Sequence, residues 1–329
     1  MISNNFKLMA YPTSGEPRDL LVETMVFPGG EEGVTLRGEA SWPIIRHDDL
    51  VTIRARIQSS RELVQLLLIL NTLKRIVRLP LTGAWQKRKA QVILWLTYLP
   101  YARRDRFEGV QATGDPICTA LSVADFGSDM IATALNSYAD VIDEVVLFDP
   151  HSEASHNKIA NARVLAKTDL FWNTQLTRDK VPLALVAPDS GSLKSVEAFA
   201  SRIGAAEVII GTKHRDIRTG ALSKIALHSP YTAASPFSGN VAVVDDICDG
   251  GGTFLPIANQ IHCTGQKTLC VTHGIFSRGF VDLLAHYDAI LTTDTWQSEE
   301  AMSKLPGYDA TRITVRTYFN RPTKVPCFV

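Results

Sequence analysis

Short apolar runs recur along the chain, and each is followed by a polar or glycine-containing turn. Several of these runs lack alternating polar residues, which is typical of strands that are covered on both faces, as in parallel sheets. We therefore predict seven buried strands. They are Gln91–Tyr98, Val145–Phe148, Leu183–Ala187, Val208–Ile210, Val241–Val244, Leu269–Val271 and Ala289–Leu291.

Helical patterns lie between the runs. Ser59 precedes Glu62 by three residues, which predicts a capping box at the start of a helix. Start signals also predict helices over Asp115–Asn136 and Gly252–Cys263. Since strands alternate with helices, we expect an α/β fold of two domains, 1–160 and 161–329. Ligands in such folds bind beyond the carboxyl ends of the strands.

Composition and charge exclude several classes of protein. Hydrophobic residues make up 45% of the 329 positions, which is a globular composition. Lys and Arg number 34 and Asp and Glu also number 34, so no basic excess favours nucleic-acid binding. No apolar run approaches the ~18 residues of a membrane helix. The N-terminal residues do not resemble a signal peptide, and the five cysteines form no CxxC pair, so we expect a cytoplasmic protein.

The segment Asp245–Thr253 (DDICDGGGT) is the strongest chemical signal. It directly follows a predicted buried strand and joins three carboxylates to three glycines and a threonine. Glycines let the backbone approach an anion closely, and carboxylates beside a phosphate indicate contacts to sugar hydroxyls or to Mg²⁺. The segment therefore predicts phosphate binding, and the alternative is a glycine-rich turn with solvated acids.

Other charged segments also follow predicted strands. The guanidinium groups of Arg103, Arg104 and Arg106 match phosphate oxygens, although a solvated basic loop is an equal alternative. His151 follows Asp149 at a strand end and is a candidate metal or phosphate ligand. The alternative for His151 is an ordinary surface turn.

Two further candidates follow later strands. Lys213 and Arg215 lie in a polar stretch after Val208–Ile210, where a mobile cationic loop would close over a transferring phosphoryl group. The alternative for this pair is an ordinary basic surface loop. Asp189 precedes a predicted helix, so its structural alternative is a helix N-cap.

Seven segments together resemble the ribose-phosphate pyrophosphokinase (phosphoribosyl-diphosphate synthetase) family, and they run in the family's order. They are Pro100–Arg106, Phe148–His151, Ala187–Gly191, Lys213–Arg215, Asp245–Thr253, Thr272–Ser277 and Thr292–Thr295. No P-loop, G-x-S-x-G elbow or H-E-x-x-H motif competes with this resemblance.

The resemblance implies two phosphoribosyltransferase-like domains, each a mainly parallel sheet flanked by helices, with ATP on 1–160 and the ribose phosphate on 161–329. It implies a Mg²⁺-dependent transfer of the β,γ-diphosphoryl group of ATP to ribose 5-phosphate. Lys213, Arg215 and His151 would be catalytic, and His151 and Asp189 would bind metal. ATP would contact Phe27, Glu31, Arg103, Arg104, Asp105, Arg106 and His151. The ribose phosphate would contact Asp189, Asp245, Asp246, Asp249, Gly250, Gly251, Gly252 and Thr253.

The sequence departs from the family pattern at several of these segments. Gly29 replaces the aspartate of the segment that reads adenine, and Arg104 replaces a glutamine. Gly250 replaces the usual Thr or Ser of the phosphate-binding loop. Ser192 and His214 are further departures. A changed phosphate-binding loop suits a bulkier acceptor, so the alternative acceptor is ADP-ribose, as in phage NAD-salvage relatives.

Two other functions stay open, a phosphoribosyltransferase and a non-catalytic regulatory paralogue. Family members are usually homo-oligomers, so we expect a dimer or hexamer, with no nucleic-acid or membrane partner.

Overall fold

A computed structural model describes residues 5–12, 16–38, 45, 49–77, 90–103, 127–171, 176, 181–215 and 222–319. These residues fall into two compact units. The first contains the described residues up to Val164 together with Phe319, and the second is Leu165–Tyr318. The expected assignment of ATP to the first unit and of the ribose phosphate to the second stays a prediction.

The first unit contains a seven-stranded sheet of order β3-β2-β1-β4-β5-β6-β7. Strands β1–β3 form an antiparallel meander joined to β4, whereas β4, β5 and β6 are parallel. The strands are β1 (Phe6–Tyr11), β2 (Arg18–Val26), β3 (Glu32–Gly38), β4 (Leu50–Ala55), β5 (Gln91–Leu96), β6 (Glu144–Phe148) and β7 (Ala162–Leu165). The helices described in this unit are α1 (Ser60–Val77), α2 (Gly127–Asn136) and α3 (Glu153–His156).

Helix α1 begins at the predicted capping signal. Ser59 Oγ accepts a hydrogen bond from the Arg61 amide at 3.2 Å and also bonds to the Glu62 carboxylate. The helix buries one face, and its fully buried residues recur at helical spacing: Leu66, Ile69, Leu70 and Leu73. Burying each such side chain contributes about 1.5–3 kcal/mol, which fixes α1 against the sheet.

The second unit contains a seven-stranded sheet of order β10-β9-β8-β11-β12-β13-β14. Only the edge pair β9–β10 is antiparallel among the strand pairs of this sheet. The strands are β8 (Leu183–Ala187), β9 (Glu207–Arg215), β10 (Leu222–His228), β11 (Asn240–Cys248), β12 (Lys267–Gly274), β13 (Ala289–Thr293) and β14 (Ile313–Arg316). The helices described here are α4 (Lys167–Phe171), α5 (Ser190–Ile203), α6 (Phe254–Ala258), α7 (Val281–His286) and α8 (Glu299–Met302).

The predicted α/β class is confirmed, with one refinement. All seven predicted strands are present, and the second sheet is mainly parallel as expected. The first sheet is mixed, because its N-terminal meander is antiparallel. Among the described residues no helix has both the length and the apolar character needed to span a membrane.

The helix predicted over Gly252–Cys263 is wrong in extent. Helix α6 covers only Phe254–Ala258. The chain then becomes extended, because Phe237 forms a parallel bridge with Cys263 and its amide donates to the His262 carbonyl at 2.9 Å. Of the helix predicted over Asp115–Asn136, the structure describes only α2, and residues 115–126 lie outside the described residues.

Candidate active site

The chemically promising segments of the second unit follow five neighbouring parallel strands. Because carboxyl ends of parallel strands lie at one edge of a sheet, these segments share that edge. Strands β8, β9, β11, β12 and β13 are mutually parallel. The segments at their ends are Ala187–Gly191, Lys213–Arg215, Asp245–Thr253, Thr272–Ser277 and Thr292–Thr295.

The acidic end of β11 lies at the centre of this edge, between β8 and β12. Asp246 is buried and Asp245 is half-buried, whereas Asp249 is exposed. Asp245 Oδ1 accepts the amide of Asp246 at 3.0 Å, and Asp246 Oδ1 accepts the amide of Ile247 at 2.9 Å. These bonds orient both carboxylates at the strand end, where a sugar or a cation would meet them.

The glycine loop after β11 depends on one residue with positive φ. Gly251 has a φ of 81°, and a Cβ there would stand 3.2 Å from Leu283 Cδ2. Its carbonyl accepts the amides of Phe254 and Leu255 at 2.9 and 3.1 Å. Thr253 is half-buried and its hydroxyl makes no capping bond to α6. The loop therefore keeps the threonine hydroxyl out of the helix cap.

The neighbouring segment after β12 is tied to this loop through Cys248. The amides of Ile275 and Phe276 donate to the Cys248 carbonyl at 2.9 and 3.1 Å. The same segment brings Arg278 against Gly250, since a Cβ on Gly250 would stand 3.3 Å from Arg278 Nε. An arginine therefore borders the glycine loop, which the sequence analysis did not foresee.

A buried thiol lies beneath the loop. Burial raises the pKa of Cys248, and the carboxylates of Asp245 and Asp249 raise it further. Burial likewise raises the pKa of Tyr287, whose hydroxyl donates to the Phe254 carbonyl at 2.8 Å. Both groups are therefore protonated at neutral pH, and the Tyr287 hydroxyl ties the end of α7 to the start of α6.

Asp189 caps helix α5. Its Oδ1 accepts the amides of Gly191 and Ser192 at 2.9 and 3.1 Å, and Ser192 Oγ donates to the Asp189 carbonyl at 3.0 Å. The helix N-cap, which was the structural alternative for Asp189, is therefore observed in the fold. Binding of sugar or metal by this carboxylate stays a prediction, and it would have to coexist with the cap.

The expectation that Lys213 and Arg215 open a loop needs correction. Strand β9 continues through both residues, because its backbone pairs with β10 in the register Ile225↔Lys213 and Leu222↔Arg215. Residues 216–221, which follow in the sequence, lie outside the described residues. Their role in catalysis stays a prediction.

The expected ATP segments of the first unit follow β5 and β6. His151 is exposed beyond β6, and Arg103 is exposed beyond β5. Since β5 and β6 are parallel, both segments lie at one sheet edge. Arg104, Asp105 and Arg106 lie outside the described residues.

Phe27 and Glu31 frame the turn between β2 and β3, where the Phe27 amide donates to the Glu31 carbonyl at 2.8 Å. Both residues are exposed. Strand β2 runs in the same direction as β4, since each is antiparallel to β1, so this turn shares the carboxyl edge of β5. Three strand spacings separate β2 from β5, which is about 14 Å.

Backbone strain concentrates in the motif segments. Among the described residues, four other than glycine have positive φ. Three of them are Tyr101, Asp149 and Phe276, with φ of 59°, 40° and 49°. Such conformations cost on the order of 1–3 kcal/mol each and persist where the surroundings impose them. Each of these three residues lies in a different motif segment.

The described residues contain no group of three or more His, Cys, Asp or Glu side chains arranged to hold a metal ion. The two expected metal ligands, His151 and Asp189, belong to different units. Magnesium commonly binds through one or two carboxylates together with substrate phosphates and waters. The carboxylate of Asp189 is an oxygen donor of the kind that Mg²⁺ takes.

No protein-family model matches the chain. Curated proteins named ribose-phosphate pyrophosphokinase match most of it. The one from Thermococcus kodakarensis is 25% identical over 288 residues, covering 84% of this chain and 86% of that protein. The one from Corynebacterium efficiens is 26% identical over 333 residues, covering 95% of this chain and 90% of that protein.

The fold is also that of a solved relative. The crystal structure of phosphoribosylpyrophosphate synthetase from Mycobacterium smegmatis matches with a TM-score of 0.64 at 18% identity, covering 91% of this chain and 86% of that chain. The motif resemblance is thereby confirmed. This chain is a divergent relative of the ribose-phosphate pyrophosphokinases, the class of enzyme that its motifs indicate.

Proposed function

We propose that this protein transfers the β,γ-diphosphoryl group of ATP to the anomeric hydroxyl of a ribose 5-phosphate moiety. The observation that carries the proposal is the grouping of the second unit's motif segments at one sheet edge, in a chain that is similar over most of its length to curated ribose-phosphate pyrophosphokinases. In an open α/β sheet this edge is where ligands bind. With ribose 5-phosphate the products are phosphoribosyl pyrophosphate and AMP.

The sugar phosphate has the better supported subsite. Asp245 and Asp246 would accept hydrogen bonds from ribose hydroxyls, because their carboxylates lie within the last four residues of β11, near its carboxyl end. The backbone of Asp249–Thr253 and the Thr253 hydroxyl would hold the phosphate. Asp189 would contact the sugar or the metal from the end of β8.

ATP would bind the segments of the first unit. Arg103, Arg104 and Arg106 would hold its phosphates, with Asp105 in the same segment and His151 beside them or the metal. Phe27 and Glu31 would contact the base. Magnesium would enter as the ATP complex, where it supplies neutralisation of the phosphate charge.

The reaction joins the anomeric oxygen to the β-phosphorus. The bond from the β-phosphorus to the oxygen shared with the α-phosphate breaks, and that oxygen leaves with AMP. The proton of the anomeric hydroxyl passes to solvent. Lys213 and Arg215 would stabilise the charge on the transferring group, so catalysis would rest on positioning and electrostatics.

The test is AMP release from ATP and Mg²⁺ with ribose 5-phosphate as acceptor. Lys213→Met is expected to lower kcat by roughly 100-fold or more, as removal of a transition-state donor does. Lys74→Met, which removes a charge at the far end of α1, is the matched control and keeps the wild-type rate. Equal rates for the two variants would refute the role of Lys213.

The second candidate keeps the chemistry and takes ADP-ribose as acceptor. The favouring observation is Gly250, where a side chain usual in the family is missing. Turnover with ADP-ribose alone would select this candidate. If neither ribose 5-phosphate nor ADP-ribose leads to AMP release, both candidates are contradicted. That result would favour a phosphoribosyltransferase or a non-catalytic regulatory subunit. Sedimentation of the purified chain tests the expected homo-oligomer.

A further inference from the structure

The three described atoms nearest to a Cβ placed on Gly250 all belong to the side chain of Arg278. A Cβ on Gly250 would stand 3.3 Å from Arg278 Nε, 3.4 Å from its Cδ and 3.6 Å from its Cγ. The Cγ, Cδ and Nε atoms of the arginine therefore lie against the glycine loop. By contrast, a Cβ on Gly252 would meet nothing within 4 Å.

The backbone around Arg278 is held in place. The Gly279 amide donates to the Phe276 carbonyl at 2.8 Å, and the Phe280 amide donates to the Pro306 carbonyl at 2.8 Å. Phe276 is fully buried with a φ of 49°. This turn fixes the Cα of Arg278 beside the loop and leaves its long side chain free to adjust.

The guanidinium is available for a ligand. Arg278 is exposed, and within the part of the chain that the structure describes it makes no hydrogen bond or ion pair. An arginine fork presents several N–H donors in the geometry of phosphate oxygens. The positively charged Arg278 side chain therefore lies beside Gly250, the loop position at which the family that this sequence resembles usually has a Thr or Ser hydroxyl.

We propose that Arg278 binds the phosphoryl oxygens on C5 of the acceptor ribose, and that the absence of a side chain at Gly250 lets it lie close against the loop. The proposal rests on the proposed function and extends it to a residue that determines acceptor binding. The ligand chemistry is a ribose C5 phosphoryl group. It comes from the monoester of ribose 5-phosphate or from the diphosphate of ADP-ribose.

The first experiment measures acceptor affinity without catalysis. Ribose 5-phosphate and ADP-ribose are each titrated calorimetrically into wild type, Arg278→Gln, Arg278→Lys and Arg202→Gln without ATP. Arg202 lies in the last turn of α5, towards the opposite edge of the sheet, so its variant removes the same charge elsewhere. Because Arg278→Gln loses a charge-assisted contact, its affinity for the acceptor should be roughly 10- to 100-fold lower than that of wild type. Arg202→Gln should keep the wild-type affinity.

The result with each acceptor identifies the source of the phosphoryl group. Arg278→Lys is expected to recover part of the affinity, since it restores the charge but not the fork. Equal affinity of Arg278→Gln and Arg202→Gln for both acceptors would overturn the proposal. So would a wild type that binds neither acceptor.

Kinetics separate this inference from the proposed function. In AMP-release assays, Arg278→Gln should raise the KM for the acceptor by the same factor and change the KM for ATP less than about twofold. Wild-type turnover with unchanged acceptor KM in Arg278→Gln would overturn the inference alone. Arg278-dependent binding without any AMP release would overturn the proposed function alone.

A double-mutant cycle tests the link between Arg278 and Gly250. Gly250→Ala should weaken acceptor binding modestly while Arg278 is present, because the methyl group would crowd the Nε and Cδ atoms of Arg278. In the Arg278→Gln background the same change should have little further effect. Additive losses would refute the coupling.

Discussion

His273 Nδ1 lies 2.9 Å from the Thr295 hydroxyl, and both side chains are buried at the carboxyl edge of the second sheet. Thr295 Oγ1 also lies 3.1 Å from the Thr272 carbonyl and 2.7 Å from Thr293 Oγ1. These contacts join the segment after β12 to the segment after β13. Two of the recognised motifs are therefore explained as a shared hydrogen-bond network beside the glycine loop.

Thr295→Val is expected to destabilise the protein by about 1–3 kcal/mol, because it leaves buried polar partners without their hydroxyl. Urea unfolding followed by fluorescence measures this. Thr133→Val on the exposed face of α2 is the control and should change the unfolding free energy by less than about 0.5 kcal/mol. Equal midpoints for the two variants would show that the network contributes nothing.

The geometry of the glycine loop predicts that alanine is destabilising at Gly251 and tolerated at Gly252. Gly251→Ala should lower the unfolding free energy by about 1–2 kcal/mol, because alanine is disfavoured at a φ of 81° and would crowd Leu283. Gly252→Ala meets open space and should stay within about 0.5 kcal/mol of wild type. Thermal unfolding of both variants checks this order, and the reverse order would contradict the loop geometry.

The sequence predicted the interior of the sheets better than their margins. Continuous apolar runs such as Leu183–Ala187 identified all seven expected strands. Strands β1–β4, β7, β10 and β14 were missed. In β4, buried Thr52 and Arg54 interrupt the apolar pattern. The guanidinium of Arg54 is accommodated by its contacts with Phe319 and Trp95, which no local pattern reveals.

The candidate site was likewise predictable from the sequence only in part. The grouping of motif segments at strand ends follows from parallel topology, so the sequence could predict it. Arg278 was missed because a single arginine after Ser277 carries no periodic or spacing signal. Only the approach of the two loops in space places it against Gly250. The missing hydroxyl at Gly250 was visible, but nothing local indicated what fills that space.

Cys248 predicts a loss of stability at alkaline pH. Burial and neighbouring carboxylates raise its folded-state pKa, whereas the unfolded thiol has a pKa of about 8.5. Above that pH the unfolded state releases a proton that the folded state retains. The unfolding free energy should therefore fall by up to about 1.4 kcal/mol per pH unit from this group.

Chemical unfolding between pH 8 and pH 10 measures the effect of Cys248. In Cys248→Ala the slope should be shallower, although the starting stability is lower because a buried side chain is truncated. Identical slopes would show that the thiol ionises normally. The native thiol should also resist alkylation at pH 8, because the protonated form is a poor nucleophile.

Arg54 makes a contact with Phe319, the last described residue, that we expect to stabilise the protein. It is fully buried in β4, its Nη1 donates to the Phe319 carbonyl at 2.8 Å, and its guanidinium lies 4.3 Å from the centre of the Trp95 ring. Arg54→Met keeps an apolar stem but removes the donor and the cation, which should cost about 2–4 kcal/mol. Arg61→Met removes an ion pair between the exposed Arg61 guanidinium and the partly buried Glu32 carboxylate, which also accepts a hydrogen bond from Gln65, and should cost about 1 kcal/mol. Urea midpoints of the two variants decide the matter, and an Arg54→Met protein as stable as Arg61→Met would mean that the buried charge costs as much as its contacts return.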